Sequence, residues 1–257
     1  MTASLLIRNW SVKTGDRMLI ENASIHFGAG RVWGVVGRSG AGKSVLLKSV
    51  LGLMPAHAGE VELHLADNDT IRAQAGKLAS FVRLRQHVAF VHQDPALMDD
   101  VSVEQNATFA ISRLAPKAHA AKRAQVDFWL TRLGLEDLDR HLPSELTPGE
   151  QRKVALCRAL MLTPRVLVVD EPTTGLDPVA SAEIIEALSA LAQEGTTLIL
   201  VSHDIRCLRA LAEDLVWVDQ GRIKYQGLLP ENQSELPQGL VPLLYGATPH
   251  FTAPPEV

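Results

Sequence analysis

At 257 residues, 46% hydrophobic and 21% charged, the chain can bury a full core as one large domain or as a domain carrying an insertion. A formal charge of −4 with no block of Lys or Arg argues against an electrostatic grip on nucleic acid. No run approaches bilayer-spanning length, no basic segment leads a long apolar one at the N-terminus, and Cys157 and Cys207 lie far apart with no C-x-x-C, so a cytosolic chain without disulfide or metal-cluster chemistry is expected.

Between residues 4 and 36, short apolar bursts (Leu5, Ile7, Val12; Ile20, Ile25, Phe27; Val32, Val35, Val36) are separated by turn signals at 14–16 and 28–30. They predict a small antiparallel sheet that feeds a strand at 31–36. Residues 37–44 then read Gly-Arg-Ser-Gly-Ala-Gly-Lys-Ser, the pattern of a phosphate-binding loop between a strand and a helix. Gly37, Gly40 and Gly42 let backbone N–H groups turn inward across Arg38, Ser39 and Ala41, and the helix that begins near Lys43 adds its positive end. A nucleoside triphosphate suits such a loop, with Lys43 reaching the outer phosphates and the Ser44 hydroxyl holding one position on Mg²⁺.

A further strand at 59–65 ends in the polar turn 66–70, which makes His64 an exposed strand residue and not a ligand. From 78 to 162 the period is mainly helical, interrupted at 88–91 and at Pro95, Pro116 and Pro143. The runs at 165–169 and 196–201 are continuously apolar, as in strands buried on both faces of a parallel sheet, and a helix at 181–193 completes a βαβ unit. A hairpin follows at 215–225. The pattern predicts an α/β P-loop NTPase fold: a mixed, mainly parallel sheet in a core formed by 1–93 and 161–226, an N-terminal antiparallel β subdomain, and an inserted helical subdomain at about 94–160. From Gly227 onward, Pro230, Pro237, Pro242, Pro249, Pro254 and Pro255 exclude a long helix. Leu240, Leu244, Tyr245 and Phe251 among them predict a tail that packs on a neighbouring subunit or back on its own domain.

The strand at 166–170 ends in Asp170 and Glu171, and the carboxyl end of a parallel strand beside a phosphate loop is where metal and water are handled. Asp170 is expected to orient Mg²⁺ and Glu171 to polarise an attacking water. With residues 37–44, Gln93, the segment 146–150 (Leu-Thr-Pro-Gly-Glu), Asp170-Glu171, Asp177 in Gly-Leu-Asp and His203 in Val-Ser-His-Asp all in order, the chain resembles the ATP-binding cassette (ABC) ATPases over nearly all of 4–226. The resemblance implies a pair of ATPase subunits that sandwich ATP, each molecule held by one subunit's P-loop and the other's signature helix. It further implies that Gln93 touches Mg²⁺ and links the site to the helical insertion, that His203 senses the γ-phosphate, and that Asp177 lies across the dimer interface. Thr147, Gly149 and Glu150 would face the partner's nucleotide.

The sequence departs from that family at two places. Its signature is Leu-Thr-Pro-Gly-Glu where Leu-Ser-Gly-Gly-Gln is usual: Thr147, Pro148 and Glu150 make a strong helix start, but an N–H is lost and a carboxylate replaces an amide near the partner's triphosphate. This subunit would then run slowly as a homodimer or pair with a second ATPase of intact signature. The usual aromatic platform for adenine falls on Thr14, with Trp10 the nearest aromatic.

Among transporters, 96–106, 142–146, 175–181 and 244–246 look most like the ATPases of Mla-type lipid transporters. That resemblance implies a phospholipid or another hydrophobic lipid as cargo, an integral membrane permease docked on the insertion near Met98 and Val103, an MCE-type lipid-binding protein, and a position on the cytoplasmic face of the inner membrane. The alternatives are a small-solute or peptide importer and a soluble assembly ATPase.

Overall fold

Alternating burial along β1 (Ala3–Thr14) and β2 (Arg17–Phe27) marks strands with one face on a core, Leu5, Ile7, Ile25 and Phe27 inward. The computed structural model describes residues 2–114 and 119–245. β1 and β2 join β4 (Ala58–Leu65) and β5 (Thr70–Gln74) in an antiparallel sheet of order β2-β1-β4-β5. The strand of the phosphate loop, β3 (Val32–Val36), lies outside this sheet. It pairs in parallel with β8 (Thr197–Val201) and β9 (Asp214–Asp219), within a six-stranded sheet of order β10-β9-β3-β8-β7-β6. The remaining members are β6 (Val88–Val91), β7 (Val166–Asp170) and β10 (Arg222–Leu228), the last antiparallel to β9.

All residues of β3, β7 and β8 are buried, which explains their unbroken apolar sequence. Their side chains alternate between two cores. Val166, Val168, Ile199 and Val201 meet the antiparallel sheet and α1 (Lys43–Val50), while Leu167, Val169, Leu198 and Leu200 face the helices on the other side. Those helices include α3 (Val103–Leu114), α4 (His119–Arg132), α5 (Pro148–Leu160) and α6 (Pro178–Gln193), after a single short turn, α2 (Phe81–Leu84), on the first side. No described helix is long and apolar enough to cross a membrane.

Residues 94–160 therefore share their core with the parallel sheet. Val103, expected on a docking surface, is fully buried in that core beside Ala107 and Val126. Met98 is half-buried, and its N–H donates to Asn106 Oδ1 at 2.9 Å while Asn106 Nδ2 donates to the Met98 and Val101 carbonyls. The apolar period of this stretch serves packing. Pro116 lies outside the described residues.

Cys157 and Cys207 are buried free thiols, each pushed up to about 12 chiefly by burial, so neither is a reactive thiolate. His64 sits in β4 with Nδ1 3.2 Å from Thr70 Oγ1 and Nε2 3.3 Å from Glu62, a strand residue with polar neighbours.

After β10 the tail turns back on its own domain. Leu236, Leu240 and Leu244 are buried with Val36, Leu215 and Leu208, the last from α7 (Ile205–Leu211), and Leu244 belongs to α8 (Val241–Tyr245). Phe251 lies outside the described residues. Truncating a buried leucine removes its transfer free energy and leaves a cavity, so Leu240→Ala is expected to destabilise the isolated subunit by about 2–5 kcal/mol. A thermal melt of the monomer checks this. An unchanged melting temperature there, with loss of stability only in the assembled complex, would place Leu240 at a subunit interface.

Candidate active site

Parallel strands bring their carboxyl ends to one edge of a sheet, and ligands bind in the crevice outside it. Here that edge collects the loop after β3, Gln93 after β6, Asp170-Glu171 at the end of β7, and His203 after β8. A cavity of about 540 Å³ is lined there by Ser39, Gly40, Ala41, Gly42, Lys43, Ser44, Gln93, Asp170 and Glu171, and extends to Arg17, Met18, Leu19 and Gln220. Gly42, at φ +104°, caps α1, and a Cβ on it would stand 2.7 Å from Ile20 Cδ1. Glycine satisfies both the backbone angle and the packing.

Lys43 Nζ donates to the carbonyls of Gly37 at 2.8 Å and Arg38 at 3.2 Å. Burial lowers its pKa, and the carboxylates of Glu171 and Asp170 pull it back up. Burial raises the pKa of Asp170, opposed by a hydrogen bond from Ser44 and by Lys48 and Lys43. Ser44, Asp170 and the amide of Gln93 thus present oxygen donors around one cavity, a set that suits a hard divalent cation such as Mg²⁺.

Glu171 is the most constrained residue of the site. Its φ of +53° is a left-handed conformation that costs a non-glycine residue about 1–3 kcal/mol, and it persists only where surroundings over-determine it. Its N–H donates to the Val201 carbonyl at 2.8 Å, its carbonyl accepts from Arg152 at 2.7 Å, and its Oε2 accepts from Thr174 Oγ1 at 3.0 Å. His203 Nδ1 lies 2.9 Å from the same Oε2. The Glu171 side chain is nearly buried, whereas that of His203 is 68% exposed, free to meet a ligand entering the cavity.

The remaining candidates do not line this cavity. Thr147 caps α5, accepting from the Glu150 N–H at 3.3 Å, while Glu150 Oε2 accepts from the Thr147 N–H at 2.7 Å and its hydroxyl at 2.9 Å. The Glu150 carboxylate is therefore turned onto its own helix start. Gly149 is required by packing: a Cβ there would stand 2.8 Å from Ala180 Cβ on α6. Asp177 caps α6 through the N–H groups of Val179 at 2.8 Å and Ala180 at 3.0 Å. The starts of α5 and α6 thus form one packed unit, apart from the phosphate loop of the same chain.

Trp10 offers no platform for a base. It is fully buried, donates Nε1–H to Ser49 Oγ at 2.8 Å, and packs edge-on against Phe81. Thr14 is exposed at the end of β1, and Arg17, Met18 and Leu19 form one rim of the cavity, with no aromatic among the described lining residues.

Sequence reasoning missed the arginines of α5. Besides its bond to Glu171, Arg152 donates to the Thr174 carbonyl at 3.4 Å, and Arg158 donates to the carbonyls of Pro95 at 2.7 Å and Ala96 at 2.9 Å. The available signal was a cation, Arg158, inside the apolar run 154–162.

A family model described as "ABC transporter" matches residues 20–174. The L-cystine transport system ATP-binding protein TcyN of Escherichia coli K12 is 32% identical over 227 residues, 88% of this chain and 90% of that protein. The glutamine transport ATP-binding protein GlnQ of Geobacillus stearothermophilus is 32% identical over 211 residues, covering 81% and 84%. A dimeric structure of a bacterial ABC transporter cassette is similar with a TM-score of 0.76 and 25% identity, over 89% of this chain and 100% of that one. The first two are by name ATP-binding proteins of L-cystine and glutamine transport, not of Mla-type lipid transport. They overturn the expected lipid cargo, and with it the MCE-type partner, which rested on short loop segments.

Proposed function

The chain belongs to the ABC transporter family, and from that premise we propose that it is the ATP-hydrolysing subunit of an importer for a small polar solute such as an amino acid. The enzyme is an ATPase. The observation that carries the site assignment is the Glu171–His203 contact of 2.9 Å at the sheet edge that also holds the phosphate loop. The names of the relatives support the solute class.

In this reading the loop 37–44 cradles the triphosphate, with Lys43 turning from the Gly37 and Arg38 carbonyls to the outer phosphates. Ser44, Asp170 and Gln93 would hold Mg²⁺, which would supply positive charge to offset the phosphates. Glu171 accepts a proton from the attacking water, and Thr174 and His203 fix the orientation of its carboxylate. Thr147 and Gly149 at the start of α5, with Asp177 at the start of α6, serve the nucleotide of a second ATPase subunit, since they lie off the cavity of their own chain. The Glu150 carboxylate is turned onto the Thr147 N–H and hydroxyl of its own helix start, which favours a working signature. The helical portion at 94–160 carries the contact with a membrane permease, and the subunit works at the cytoplasmic face of the membrane.

Purification from membranes of the source cell, followed by reconstitution with the associated permease, tests this. ATP hydrolysis stimulated by a small polar solute and unaffected by added phospholipid is the expected result. Recovery with soluble proteins alone, without a permease, would overturn the transport reading.

A further inference from the structure

We propose that Arg152 is a positioning residue through which α5 sets the conformation of Glu171, so that engagement of the helix start at Thr147 is felt at the water-activating carboxylate. This rests on the assignment of Glu171 above.

Arg152 is only 7% exposed, and a guanidinium in such a place needs strong compensating bonds. It finds backbone carbonyls: one terminal nitrogen serves Glu171 and the other Thr174, while its Nε is buried with no partner among the described residues. A planar fork can span carbonyls on both sides of a turn, which an ammonium at one point cannot. A charge in the protein interior is thus used to hold the backbone around the carboxylate.

What is held is the strained residue. The Glu171 N–H is fixed to Val201 on β8 and its carbonyl to Arg152 on α5, so the left-handed angle of +53° is maintained between those elements. A shift of α5 against β8 must rotate the Glu171 backbone and swing the carboxylate relative to Thr174 and His203. α5 can act as a rod. Its capping box closes the first turn, and Arg158 ties its far end to the Pro95 and Ala96 carbonyls, just after Gln93. The same helix therefore joins the proposed contact with the second subunit's nucleotide to the catalytic carboxylate of its own chain, and Arg152 is the joint.

The test compares Arg152→Met and Arg152→Lys with the wild type in the assembled complex. It measures kcat, KM, the Kd for a non-hydrolysable ATP analogue and the melting temperature. A positioning role predicts that Arg152→Met lowers kcat by about 10-fold or more with KM and Kd within about 2-fold, and that Arg152→Lys, which keeps the charge on a single donor atom, recovers part of the rate. Thr147→Ala and Arg152→Met should also combine to less than the product of their separate effects on kcat, because they act along one path. Should Arg152→Met fail to fold, Arg152→Lys decides by itself: reduced kcat at unchanged Kd supports the proposal, and unchanged kcat overturns it. A kcat that falls only in step with Kd and melting temperature also overturns it, since that is the mark of a merely structural arginine. Glu171→Gln run alongside separates the two levels. If that variant turns over normally the assignment of Glu171 fails, whereas an inactive Glu171→Gln beside a fully active Arg152→Met sinks the coupling alone.

Discussion

Glu171→Gln is expected to lower ATP turnover by at least about 100-fold while leaving the fold and nucleotide binding intact, because a positioned general base contributes about 10²–10⁴-fold to a rate. The substitution keeps the side-chain length and leaves the backbone bonds to Val201 and Arg152 untouched, so the left-handed geometry survives. A glutamine can still accept from Thr174 Oγ1 through its oxygen. What it lacks is the ability to take a proton from water, and its amide cannot reproduce the anionic partner of His203 Nδ1. The ATP-bound dimer should accumulate as a result, visible by size-exclusion chromatography with ATP and Mg²⁺. Turnover near the wild-type rate would remove Glu171 from the role. A fall in melting temperature would instead show that the carboxylate helps to hold the strained backbone in place.

Much of this site was legible because its parts are local. The loop 37–44 and the acids closing β7 announce themselves by residue type and by the unbroken apolar strand before each, since strands buried on both faces leave no room for polar alternation. Pairing was less legible. The apolar run of β3 shows a buried strand, yet its partners β8 and β9 come from more than a hundred residues away, where no local pattern reports them. β5 escaped notice because Thr-Ile-Arg-Ala-Gln is short and buries only Ile71 and Ala73. Val103 misled for the opposite reason: an apolar residue near a presumed docking segment has the same appearance whether it faces a partner or a core, and here it faces the core. Arg152 could not be found from spacing at all, because its function is a distance to a carbonyl nineteen positions away in the chain. The cargo is not legible because the motifs that mark a cassette concern ATP, and short loop likenesses carry a weight that similarity over 88% of the chain does not support.

Lys43→Ala should fail earlier in the cycle than Glu171→Gln. Hydrogen bonds to charged groups contribute about 1.5–3 kcal/mol, so loss of the ammonium is expected to weaken ATP binding by about 10- to 100-fold, with hydrolysis falling through lack of bound substrate as well as through lost charge stabilisation. The structure sets the cost on the protein's side. Lys43 Nζ is held by the Gly37 and Arg38 carbonyls, and Arg38 is exposed, so water can replace the ammonium there at little expense to the fold. Burial already disfavours the charge on Lys43, whereas Glu171 and Asp170 favour it, and removing it leaves those acids facing each other and the incoming phosphates uncompensated. Binding should therefore suffer more than stability. Calorimetric titration with ATP and a thermal melt distinguish the possibilities: an unchanged Kd with a lowered melting temperature would make Lys43 a brace for the loop and not a phosphate ligand, whereas a large rise in Kd at a nearly constant melting temperature identifies it as the residue that the triphosphate draws away from the loop carbonyls.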